Sequence, residues 1–148
     1  MTTREVYRTF MDDRRINGLT DKTLSYYGET VGKFVDFCED CDLMSATRQI
    51  NAYFLSLQDR GLAQNSILAH WRGIKVFWHF ANDEGYLDAM PKLPKIREEI
   101  KQIKPLSLSQ VRQVLGSFRV TNFTGLRNQT IVRLLFDSGI RLSELAGV

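Results

Sequence analysis

Arg141 is the residue whose setting most clearly suits chemistry in this sequence. It lies in the run Asp137-Ser138-Gly139-Ile140-Arg141-Leu142-Ser143-Glu144-Leu145. The pattern predicts a helix that stops at Gly139 and another that starts near Arg141, which sets a guanidinium beside the open N–H groups of a helix start. Such a corner suits a phosphate. Arginine stays charged at any biological pH, and its planar fork of donors can grip two oxygens of one phosphate together.

Two other groups of reactive types are weaker candidates. Cys38 and Cys41 form a C-x-x-C, a spacing used by redox pairs and by half of a zinc site. Both sulfurs are expected on the apolar stripe of the second helix, no second cysteine pair exists, and His70 and His79 stand at no ligand-like spacing. We therefore read two buried free thiols, with no metal site. His70, near an apolar edge, reads as a packed histidine.

These residues need elements to position them. Residues 3–17 predict a short helix with Val6 and Phe10 inward and Arg4, Arg8, Arg14 and Arg15 largely outward, stopped by Gly18. Thr20 or Asp21 can cap a long second helix to about Cys41. Its inward stripe is Leu24, Tyr27, Val31, Phe34, Cys38 and Cys41, and its other face carries Lys22, Tyr26, Glu29 and Lys33. A third helix is expected from about Ser45 to Arg60, burying Ile50, Phe54 and Leu57. The fourth starts near Asn65 or Ser66 with Ile67, Trp71, Ile74, Trp78 and Ala81 as its stripe, while Asn65, Arg72, Lys75 and His79 project away. Four such amphipathic helices with short connections bury one another's stripes as a bundle.

From Pro91 to Pro105 the pattern changes. Three prolines break helices, and Lys92, Lys95, Arg97, Lys101 and Lys104 outnumber Glu98 and Glu99. Beyond this basic linker, Ser107 or Ser109 caps a helix with Leu108, Val111, Leu115 and Phe118 inward. Leu126–Ser138 forms another, which leads to the Arg141 corner. No segment shows strand alternation, so the expected class is all-α: residues 1–90 a four-helix bundle, 91–105 a basic linker, and 106–148 an incomplete helical domain.

Composition is that of a globular chain, with 148 residues, 43% apolar and 25% charged. No stretch approaches the ~18 uninterrupted apolar residues of a membrane span, and the first residues lack a signal peptide's apolar segment, so a cytoplasmic location is expected. The net charge of +3 is unevenly placed: residues 91–148 hold 10 of the 20 basic residues and only 4 of the 17 acidic ones.

Together these features resemble the tyrosine recombinases, or phage integrases, over nearly the whole chain. The resemblance rests on Thr23-x-x-x-Tyr27 and Phe34 in the second helix and on Ile74-x-x-Phe77-x-x-x-Ala81-x-x-x-Gly85-Tyr86-Leu87 in the fourth. Met90-Pro91 stands where the family has Asn-Pro, a mild departure. Leu106-Ser107-Leu108-Ser109 resembles the Leu-Thr opening of the family's catalytic domain, and Ser138–Leu145 its first catalytic-arginine box.

This resemblance implies a helical, SAM-like core-binding domain at 1–90 and the start of a catalytic domain at 106–148, which clamp double-stranded DNA from opposite sides. Arg141 would contact the scissile phosphate and Glu144 would support that loop. The chemistry implied is phosphoryl transfer to a tyrosine hydroxyl through a 3'-phosphotyrosine intermediate, without metal or cofactor. The family's remaining site residues would lie after Arg141. The five tyrosines, Tyr7, Tyr26, Tyr27, Tyr53 and Tyr86, all precede the linker, so this chain alone is expected not to cleave DNA.

By the same resemblance the second and fourth helices face the major groove, where such side chains read base edges and phosphates. The candidates are Lys22, Thr23, Tyr26, Lys33, Gln64, Asn65, Ser66, Arg72 and Lys75, with Lys95 and Lys104 adding to the basic linker. The parent would assemble with other recombinase protomers on DNA, and residues 106–148 of this chain are expected either to fold back on the bundle or to exchange between two copies as a swapped dimer. Two other classes remain open: a non-catalytic DNA-binding or recombinase-interacting regulator, and a helical protein-interaction domain.

Overall fold

The computed structural model describes residues 1–39, 41–99, 102 and 104–147. Lys101 of the basic linker lies outside the described residues. The chain divides into two compact units, Met1–Ile100 and Lys101–Val148. The described residues form helices and no named strand, with one isolated bridge between Thr2 and Asp42.

The first unit is the expected bundle, started and stopped by local signals. Helix α1, Thr3–Ile16, opens on a capping box in which Thr2 Oγ1 accepts from Glu5 N and Thr2 N donates to Glu5 Oε2. It closes at Gly18, whose φ of +72° is costly for other residues. Helix α4, Leu43–Asp59, is capped by Asp42, which accepts from Ser45 N at 3.0 Å. Helix α5, Gln64–Asp83, buries Ile67, Leu68, Ile74, Phe77, Trp78, Phe80 and Ala81, a wider stripe than expected. Trp71, counted in that stripe, is only half-buried.

The second rod differs from the single helix expected. It runs as α2, Asp21–Tyr27, then a π-helical turn, Gly28–Gly32, then α3, Lys33–Phe37. Thr30 Oγ1 donates back to Tyr26 O at 2.8 Å, so a side chain engages a carbonyl of the local ladder. The wider turn lets the adjacent Thr30 and Val31 both be buried. The helix also ends before Cys41. Cys38 is buried, whereas Cys41 is half-buried in the turn before α4, so only one sulfur lies on the helical stripe.

Aromatic rings fill the core. Phe10 meets Tyr27, Phe77 and Phe80 edge-on with centroids 5.0, 5.6 and 5.4 Å away, and Phe34 meets Tyr53 and Trp78 in the same manner. Arg14 is less outward than expected, with its guanidinium 5.1 Å from the Phe10 ring and 5.7 Å from Phe80.

The second unit comprises α6, Leu108–Gly116, α7, Phe123–Ser138, and α8, Leu142–Leu145. Ser107 caps α6 in a box with Gln110, and Asn122 Oδ1 accepts from Gly125 N at 2.7 Å, starting α7 one turn earlier than expected. Leu108, expected inward, is 63% exposed, and among the described residues of this unit Val111 alone is buried. The nine-residue α6 and the four-residue α8 leave apolar side chains of α7 open, among them Leu126, Leu134 and Phe136.

Candidate nucleic-acid interface

The polar edge of α5 collects the densest group of candidate residues. Asn65, Arg72 and Lys75 share one helical face by spacing, and Gln64 and Ser66 flank its start. Arg72 and Lys75 are exposed, and the Lys75 ammonium sits 5.2 Å from the Trp71 ring centroid. The α2 edge lies alongside because Tyr26 Oη donates to Ala69 O at 2.7 Å. Burial raises the Tyr26 phenol above its ordinary range, which keeps it a neutral donor in that bond.

The remaining candidates are distributed more loosely. Lys22 is exposed near the start of α2, and the Thr23 and Thr20 hydroxyls pair at 3.0 Å around the cap. Lys33 is salt-bridged to Glu29 one turn earlier, and that pairing lowers the Glu29 carboxyl. Ser66, Lys95 and Lys104 are exposed. Lys104 belongs to the second unit, whereas the other candidates belong to the first.

Part of the α5 face is already engaged by the chain itself. Residues 91–99 carry no regular secondary structure and lie against the bundle. Trp71 Nε1 donates to Pro94 O at 2.8 Å, Gln64 Nε2 to Arg97 O at 2.9 Å and Asn65 Nδ2 to Glu99 O at 3.2 Å. Arg72 Nη2 reaches Glu98 Oε1 at 3.1 Å. Sequence reasoning missed this strap. A segment without regular structure has no periodicity to reveal its partner, and the available signal was Trp71, whose indole N–H needs an acceptor when half-buried.

Beneath this edge, His70 Nδ1 and Tyr53 Oη meet at 2.9 Å, and the imidazole is buried, as expected of a packed histidine. Its pKa is lowered, chiefly by burial and also by the nearby Lys33 and Arg60 cations, while the Thr30 carbonyl and Glu29 oppose the shift.

The Arg141 corner has the expected backbone. Gly139 closes α7 in the left-handed region at φ +66°, and Arg141 occupies the N-cap position of α8. Glu144 turns back onto it: its carboxylate accepts from Arg141 N at 2.9 Å and from Arg141 Nη1 at 3.1 Å. The Arg141 side chain is 82% exposed, so this pair orients the guanidinium more than it stabilises the fold. The donors not facing Glu144 remain able to meet an anion. Among the described residues no group of three His, Cys, Asp or Glu is placed to hold a metal ion, and no helix is long and apolar enough to cross a membrane.

Comparison with known proteins matches residues 6–84 to the family described as phage integrase, N-terminal SAM-like domain. The chain is similar to the tyrosine recombinase XerD of Halalkalibacterium halodurans, at 27% identity over 88% of this chain and 46% of that protein. It is similar to the tyrosine recombinase XerC of Pseudomonas syringae pv. syringae, at 26% identity over 85% of this chain and 44% of that protein. The tyrosine recombinase XerA of Saccharolobus solfataricus is 25% identical over 97% of this chain and 50% of its own length. The chain thus spans about half the length of the curated relatives it matches. No solved structure gives a significant match.

Proposed function

This chain belongs to the phage integrase family, and from that premise we propose that it is the part of a site-specific tyrosine recombinase that grips double-stranded DNA. Residues 1–90 are the core-binding domain, 91–105 connect it onward, and 106–148 open the catalytic domain. The observation that carries the reading is the α5 edge, where Asn65, Arg72 and Lys75 share one face inside the stretch matched to the family. A helix of this kind fits the major groove, where amide and guanidinium side chains reach base edges and ammonium groups reach phosphates. Tyr26 of α2 stands beside this edge.

Arg141 would then hold the scissile phosphate, with Glu144 setting the orientation of its guanidinium. Fixed positive charge there stabilises the oxygens of the phosphorane-like transition state as the phosphoryl group passes to a tyrosine hydroxyl. Residues 1–90 carry more acidic than basic side chains, so affinity for duplex DNA is weak and falls steeply with salt.

The test is a fluorescence-anisotropy titration of duplex DNA at low salt. Arg72→Glu with Lys75→Glu should weaken binding by about tenfold or more, since each reversal turns a phosphate attraction into a repulsion. Unchanged affinity would remove α5 from the interface.

A further inference from the structure

The segment that covers α5 carries the wrong charge for a DNA-binding linker at one place. Between Pro91 and Pro105 the acids are Glu98 and Glu99, set among Lys92, Lys95, Arg97, Lys101 and Lys104. Those two acids are where the strap meets the candidate DNA-facing side chains. Arg72 points its guanidinium at the Glu98 carboxylate, Asn65 donates to the Glu99 carbonyl and Gln64 to the Arg97 carbonyl. Each of these donors faces an oxygen, the same chemistry that a phosphate or a base edge would offer it.

We propose that residues 97–99 are an internal competitor for DNA, with the Glu98 carboxylate standing in for a backbone phosphate at Arg72. The inference rests on α5 being the DNA-facing helix. Strap and duplex cannot occupy Gln64, Asn65 and Arg72 together, so binding requires the segment to lift.

The geometry suits a cover that lifts without unfolding the bundle. Its inner anchor is Trp71 to Pro94, where the ring is half-buried and Leu93 and Ile96 pack against the core. Its outer contacts are exposed, with the Arg72 and Glu98 side chains 58% and 61% accessible. Exposed ion pairs of this kind are weak, so the competition is modest and salt-sensitive. Lifting also moves Arg97 away from the α5 face and lets the basic residues of the strap seek phosphates. Acid is thereby exchanged for phosphate at Arg72, and duplexes that make only non-specific contacts are disfavoured.

The experiment uses the full chain and the anisotropy titration at low salt, comparing Glu98→Gln/Glu99→Gln with the unaltered protein. A control, Asp83→Asn/Glu84→Gln, removes the same charge at the far end of α5. The strap variant should bind about threefold to tenfold more tightly than the control, and in an Arg72→Gln background its advantage should disappear, because the pair it breaks is already gone. Equal affinity of strap variant and control, while Arg72→Glu/Lys75→Glu still weakens binding, would overturn the competitor and leave the DNA-facing helix standing. If Arg72→Glu/Lys75→Glu has no effect either, both readings fall.

Discussion

Gly73 of α5 rests directly on Thr30 of the π-helical turn. A Cβ built on Gly73 would lie 2.3 Å from Thr30 Oγ1 and 2.9 Å from Thr30 Cβ. The close approach fixes how α5 crosses the second rod, and so where Tyr26 stands beside the α5 edge. Gly73→Ala should therefore destabilise the bundle by roughly 1–2 kcal/mol. Overpacking costs about 1–3 kcal/mol, and the better helix propensity of alanine returns up to about 1. Urea unfolding checks this, and adding Thr30→Ala should recover part of the loss. A more stable Gly73→Ala chain would show the crossing to be loose.

The buried His70 makes stability depend on pH. Its folded pKa lies below the unfolded value, so the unfolded chain takes up the proton first. The contribution is complete above about pH 6.5 and is lost as pH falls from there towards the folded pKa. His70→Gln, which keeps a polar partner for Tyr53, should flatten this part of the pH–stability curve. An equal slope in both proteins would place the titration elsewhere.

The two thiols should differ in reactivity. Cys38 is 2% exposed, and burial, with Cys41 beside it, pushes its pKa to about 12. At pH 8 a thiol reagent should modify Cys41 rapidly in the folded chain and Cys38 only on unfolding. Mass spectrometry of the labelled peptides distinguishes the sites, and comparable labelling of both in native buffer would contradict the buried position of Cys38.

The second unit should drive association. Phe123 and Leu142 are 78% and 70% exposed, and Phe123, Leu126, Ile131, Leu134 and Leu145 line an open apolar groove. Apolar surface of this extent promotes self-association, through a swap of residues 106–148 or through simple face-to-face contact. Light scattering should give a mass that rises with concentration, reduced by Phe123→Ser with Leu142→Gln. A monomer that persists across the concentration range would rule out both arrangements.

What the sequence determined by itself is local. Thr20 and Ser107 announce helix starts because a side-chain oxygen within three residues can satisfy an open N–H, and Gly18 and Gly139 announce stops because a left-handed residue ends the ladder. The inward stripes, the four rods and the Arg141 corner were legible for the same reason, as was the family, whose motifs follow those stripes. Only the tertiary structure decided the π turn at Gly28–Gly32, the strap over Gln64, Asn65 and Arg72, the departure of Cys41 from its helix and the exposure of Leu108. Each of these depends on what meets a residue from elsewhere in the chain: Gly73 on Thr30, Pro94 on Trp71, the Thr3 N–H on the Cys41 carbonyl, or, at Leu108, no covering element among the described residues. Periodicity records which face of a helix prefers burial, and it carries no record of which distant segment arrives to cover it.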